Sequence, residues 1–204
     1  AGYAGNMEIV INGGTFNSNK GLSIYHYPPV NDEGNALKSL VINGGSFKAE
    51  FELLDNDNVT IEYGKFVNEI VGYLKNGYIQ SKTDGVYSVS NIIGSGAGLL
   101  INGKVNTDYV KPGEEVTIST MGSYELDSVE VVTSDNQKIT VKDNKFAMPN
   151  KLVRVNAKTT QLYDILFEPN ENVEMTFTTG GKEAESVKAG AEVKFNYTPK
   201  AGYI

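Results

Sequence analysis

The stretch VINGGSF, residues 41–47, decides how this chain is read. A near-copy, VINGGTF, stands at 10–16, and a worn third version, TIEYGKF, at 60–66. Internal repetition is weighed first, because missing it misassigns a whole fold. Laid over one another, the phrases put Ile9, Leu40 and Val59 in one column and Ile11, Ile42 and Ile61 in the next. Phe16, Phe47 and Phe66 form a third. Val10, Val41 and Thr60 alternate to the opposite face, as the two-residue period of a strand requires. Gly13-Gly14, Gly44-Gly45 and Tyr63-Gly64 are expected at a corner, where positive φ is cheap only for glycine. A second short strand follows the first two corners, LSIYH at 22–26 and FELLD at 51–55.

Matched columns predict stacked coils, a short right-handed parallel β-helix whose rungs lie ~4.8 Å apart. Ile42 to Ile61 is 19 residues, a plausible coil, whereas Ile11 to Ile42 is 31. The surplus lies in YPPVNDEGNALKS (27–39), where Pro28 and Pro29 mark an inserted loop. The competing reading is three hairpin strands of an ordinary β-sandwich. YLKNGYIQSKTDGVYSV (73–89) predicts a hairpin around Asp84-Gly85, placed to cap the last coil and cover its edge.

GSGAG (94–98) reads as a small-residue linker, within 93–98. Beyond it, VKPGEEVTIS at 110–119 recurs as VKAGAEVKFN at 187–196, an offset of 77 residues. The expected organisation is an all-β chain. A β-helix with hairpin cap (1–92) is followed by the linker, a small β-sandwich-like module (99–159) and an incomplete second copy (160–204). Alternation in Val129/Val131, Ile139/Val141 and Val153/Val155 gives each strand of the complete module one apolar face.

Composition narrows the function classes. A net charge of −7 argues against nucleic acid, since few cations are available to displace counterions from phosphate. Without cysteine there is no disulfide, thiolate or sulfur-ligated metal. No apolar run approaches the ~20 residues of a membrane span. The chain opens mid-phrase at Ala1 and closes abruptly at Ile204, which reads as a segment of a longer protein.

GGTF, GLSIYH, INGGSF and GKFVNEIVGYLKNGYIQSKTDGVYSV together resemble the repeats of bacterial cell-surface proteins, largely from gut Firmicutes. In these, short pectate-lyase-like β-helices end in a YL..GY......DG.Y.V phrase. The resemblance covers about residues 5–90. The second half, from VKPGEEVTIS through KFAMPNKLVRVNA, resembles divergent internalin-type B-repeat domains. There Pro112-Gly113 would set a turn, Tyr124 would plug the core, and Phe146-Ala147-Met148-Pro149 would end a strand. The resemblance implies a non-catalytic, adhesin-like segment of a secreted surface protein, extracellular, with the modules as spacers. Its partner would be a host or microbial glycan or surface protein. The alternative is a carbohydrate-binding segment of a larger glycan-processing protein.

Candidate chemistry is sparse. His26, the only histidine, lies between Tyr25 and Tyr27, and the three are the candidate ligand contacts; no spacing supports a triad or a histidine metal site. Asp55, Asn56, Asp57 and Asn58 supply oxygens but lack the spacing and closing glutamate of an EF-hand loop, so turn formation is the expected role. Asp32-Glu33 and Glu114-Glu115 are adjacent, whereas glycoside cleavage needs two carboxylates converging across a cleft. No catalytic residue, cofactor or metal is expected. Tyr25, Tyr27, Tyr63, Tyr73 and Tyr78 offer aromatic faces for sugar rings, though coils and caps also use tyrosines for packing.

Overall fold

The computed structural model describes residues 7–18, 21–25, 37–53, 58–75, 77–105, 107, 109–166, 168 and 171–202. Among them the fold is all-β, several open sheets with a short 3₁₀ turn at Val71–Tyr73 and no α-helix. The first unit begins with β1 (Glu8–Phe16), β2 (Leu22–Tyr25), β3 (Ser39–Phe47), β4 (Glu50–Glu52) and β5 (Val59–Phe66). The three repeated phrases, β1, β3 and β5, lie side by side and parallel. Ile9 stands opposite Leu40 and Leu40 opposite Val59; Ile11 stands opposite Ile42 and Ile42 opposite Ile61. β2 and β4 form a second parallel pair. Three hairpin strands would run antiparallel, so this register excludes that reading.

Packing follows from the columns. Leu40, Ile42 and Ile61 are completely or almost completely buried. Phe16, Phe47 and Phe66 stack with nearly parallel planes, successive centroids 4.6 and 5.0 Å apart. Phe51 of β4 meets Phe47 and Phe66 edge-on at 5.2 and 5.6 Å, so the two parallel ladders share one core. The glycines do not form a corner between strands. They lie within β1, β3 and β5 where the register slips, between Asn12 and Thr15 and between Asn43 and Ser46. A bulge of this kind bends a strand without ending it. At Gly45, φ is +122° and a Cβ would press on Phe47 at 3.1 Å, so the bulge and the phenylalanine stack require the same bare position.

β6 (Ile79–Thr83) and β7 (Val86–Ser90) form the expected hairpin, with Asp84 and Gly85 at φ 50° and 78°. Two positive φ values at the centre of a two-residue loop give the turn whose twist suits a hairpin. β7 pairs antiparallel with the end of β5, giving the sheet order β1-β3-β5-β7-β6. Beside the rest of β5, the Lys75 N–H donates to the Ile61 carbonyl at 3.1 Å.

The second unit comprises β8 (Ile92–Ser95), β9 (Leu99–Ile101), β10 (Glu115–Thr120), β11 (Tyr124–Thr133), β12 (Lys145–Ala147) and β13 (Val153–Asp164). The sheet β12-β10-β9 packs against the sheet of β11, β13 and β8, burying Val116, Ile118, Val131, Phe146, Val153 and Val155 between them. The stretch expected as a linker is instead structural: β8 runs parallel to β13, Ile92 opposite Val153 through Ser95 opposite Asn156. Its small residues serve close packing. A Cβ on Gly96 would sit 2.7 Å from the Ala157 carbonyl, and one on Gly98 2.2 Å from the Tyr124 ring.

The junction is fixed further by Asn91, fully buried at the end of the first unit. Its Nδ2 donates to the Val110 carbonyl at 2.8 Å, and its Oδ1 accepts the Val110 N–H at 3.0 Å. Leu152 is buried in the first unit's core, with Ile93 and Tyr109 packed against it. β14 (Val173–Thr179), β15 (Lys182–Glu183), β16 (Ser186–Lys188) and β17 (Lys194–Pro199) lie in the stretch expected as an incomplete second copy. β16 pairs with the end of β13, and β14 is flanked by β15 and β17.

Candidate functional site

Of the residues singled out in the sequence, Tyr25 ends β2, and its side chain is not described; His26 and Tyr27 lie outside the described residues, as do Asp32, Glu33, Asp55, Asn56 and Asp57. The other candidate tyrosines do not form one patch. Tyr78 is buried and Tyr73 packs against the first core, while Tyr63 stands 39% exposed. Glu115 pairs with Lys145 at 2.8 Å. Among the described residues no group of three or more His, Asp or Glu is arranged to hold a metal ion.

The site the structure does assemble is a groove of about 950 Å³ between the outer face of the parallel sheet and the loops of the second unit. One wall is the outward column of the repeat, with Asn12, Val41, Asn43 and Glu62 from β1, β3 and β5. The facing wall is Tyr109, Lys111, Pro112, Glu114 and Asn150. Parallel stacking brings like residues together, so Asn43 Nδ2 donates to Asn12 Oδ1 at 3.0 Å. This leaves the remaining amide valences of both side chains facing solvent.

Two aromatic rings join the walls. Tyr63 and Tyr109 stack with centroids 4.3 Å apart and planes 22° apart. Glu62 is held by Lys75, whose Nζ donates to Glu62 Oε1 at 2.8 Å and to Asn150 Oδ1 at 2.9 Å. Tyr78 donates its hydroxyl to the same Asn150 oxygen at 3.3 Å. This network ties the floor of the groove to the second unit.

Burial, helped by the neighbouring Tyr78, Glu62, Tyr63 and Glu114, pushes the Tyr109 phenol from its ordinary 10.0 up to about 12. Tyr109 therefore keeps its proton throughout the neutral range. The unfolded chain releases that proton near pH 10, whereas the folded chain holds it to about 12, so this contribution to stability is complete below pH 10 and is lost as pH rises toward 12. Urea unfolding at pH 8, 10 and 11 is expected to show a stability gap between wild type and Tyr109→Phe that changes only above pH 10. A gap independent of pH would contradict this.

Comparison of the chain with protein-family models, with curated proteins and with solved structures finds no match.

Sequence reasoning missed Asn12, Asn43, Glu62 and Tyr109 as site residues. The signal was available for Glu62 and Tyr63. They are the two places where the third phrase, IEYG, departs from ING, replacing asparagine and glycine. A repeat that keeps its core columns and changes its outward ones is altering its surface.

Proposed function

We propose that this chain is a non-catalytic binding segment of a secreted bacterial surface protein, of adhesion type, holding a glycan in the groove between its first two units. The observation that carries the reading is the convergence in one groove of an aromatic pair, Tyr63 and Tyr109, with an amide pair, Asn12 and Asn43. Aromatic faces suit the apolar faces of sugar rings, and amides that both donate and accept suit vicinal hydroxyls. In this reading the two parallel ladders are walls of a short β-helix and the hairpin is its cap. The resemblance to surface-protein repeats supplies the extracellular setting. A carbohydrate-binding segment of a larger glycan-processing protein would use the same groove.

A glycan-array screen followed by calorimetric titration of the best binder tests this. Tyr63→Ala and Tyr109→Ala are each expected to weaken binding about tenfold, equivalent to ~1.4 kcal/mol, and Asn43→Ala by a smaller factor. Binding that these variants leave intact but Tyr25→Ala or Tyr27→Ala abolishes would place the ligand at the inserted loop instead. Silence across the whole array would remove glycan binding from this segment.

A further inference from the structure

The Tyr63–Tyr109 pair lines two cavities. One is the groove; the other is a cleft of about 300 Å³ that the same two rings share with Lys65, Ser88, Lys104 and Thr107. The two cavities differ in charge. The groove sets Glu62 and Glu114 beside Lys111, whereas among the described residues the cleft is lined by lysines and by no carboxylate.

Both lysines stand on fixed backbone. Lys65 lies in β5 with Ser46 opposite it on one side and Ser88 on the other. Thr15 and Ser46 fill the same column of the repeat, so the third phrase exchanges a hydroxyl for an ammonium two residues after it introduces Tyr63. Lys104 closes a two-residue turn, Asn102 and Gly103 having φ 52° and 73°. The Ile101 N–H donates to the Lys104 carbonyl at 2.9 Å, and the Lys104 N–H donates back at 3.0 Å. The same turn is anchored to β10, because Asn102 Oδ1 accepts the Thr117 N–H at 2.8 Å.

The hydroxyls of the cleft are engaged. Thr107 donates to the Ile101 carbonyl at 2.8 Å, and Ser88 Oγ is bonded to Ser81 Oγ at 2.9 Å. The ammonium groups are not. Among the described residues neither Lys65 nor Lys104 forms an ion pair, whereas Lys75, Lys138, Lys145 and Lys151 each do. In a chain of net charge −7, two such lysines in one cleft concentrate positive charge where the rest of the surface would repel an anion.

We infer that this cleft seats an anionic substituent, a carboxylate or a sulfate ester, of the glycan whose ring rests on Tyr63 and Tyr109, with Lys65 and Lys104 as its counter-charges. The inference rests on the glycan reading of the groove and narrows it to acidic glycans.

The test is an array on which sialylated, uronic-acid and sulfated glycans each stand beside their neutral parent. The best acidic binder and its parent are then titrated calorimetrically into the full chain. The acidic member is expected to bind more tightly. Lys65→Gln and Lys104→Gln are each expected to weaken it about fivefold, the upper range for an exposed ion pair, and to leave the neutral parent unchanged. The double variant is expected to bind both members equally. A preference confined to carboxylated or to sulfated members supports the inference and fixes which anion is seated. Equal binding of acidic and neutral members to the unaltered chain overturns the inference and leaves the groove reading standing. A preference that survives the double variant but is lost in Lys111→Gln also overturns it, because the charge is then read inside the groove. Silence across the array removes the glycan reading and this inference with it.

Discussion

Replacing Phe47 with alanine is expected to destabilise the first unit by about 3–5 kcal/mol, the range for deleting a fully buried aromatic. Phe47 is 1% exposed and is the middle ring of the stack, in face contact with Phe16 and Phe66 and in edge contact with Phe51. Its loss would remove three ring contacts at once and leave a void that the parallel backbones, locked in register, cannot close. Phe47→Leu fills most of that space and is expected to cost roughly half as much. Urea denaturation followed by tyrosine fluorescence checks both. A Phe47→Ala variant within 1 kcal/mol of wild type would mean that the columns do not carry the core, using the ordinary ~1 kcal/mol size of a mutational effect as the yardstick.

The second large effect is expected at Asn91. Its side chain serves one buried backbone amide and one buried carbonyl, both of Val110, itself 4% exposed. Asn91→Ala would strand both groups away from water, at about 1–3 kcal/mol for each unsatisfied partner. Asn91→Asp keeps the acceptor but loses the donor and buries a charge, so it should be no better tolerated. Because Asn91 lies where the two units meet, loss of this pair is expected to loosen the groove as well as destabilise the chain. The measurement is hydrogen exchange at the Val110 amide alongside denaturation. Protection of that amide equal to wild type in Asn91→Ala would show that the side chain is not what holds it.

Much of the fold was legible because stacking repeats a sequence column as a spatial one. Ile11, Ile42 and Ile61, and the three phenylalanines, align in the sequence and are superposed in space. The hairpin was legible from Asp84-Gly85, whose positive φ values leave few alternatives. What misled was glycine. Gly13-Gly14 and Gly44-Gly45 read as corners, and GSGAG read as a linker, because local conformational freedom is all a sequence reveals about glycine. Gly96 and Gly98 are there because Ala157 and Tyr124 come too close for any side chain, and those contacts arise between distant stretches of the chain. The groove was hidden for the same reason. Tyr63 and Tyr109 stack across 46 positions of sequence and share no local pattern.

The β8–β13 pairing has a mechanical consequence. Tension along the chain enters β8 from its N-terminal side and leaves β13 from its C-terminal side, and the two strands run parallel. Pulling therefore slides one strand along the other, so the rungs from Ile92 to Ser95 bear the load together. A hairpin such as β6–β7, pulled at its open end, would unzip rung by rung. Under a pull applied to the ends of the chain, the β8–β13 ladder would hold at forces that peel the β6–β7 hairpin apart.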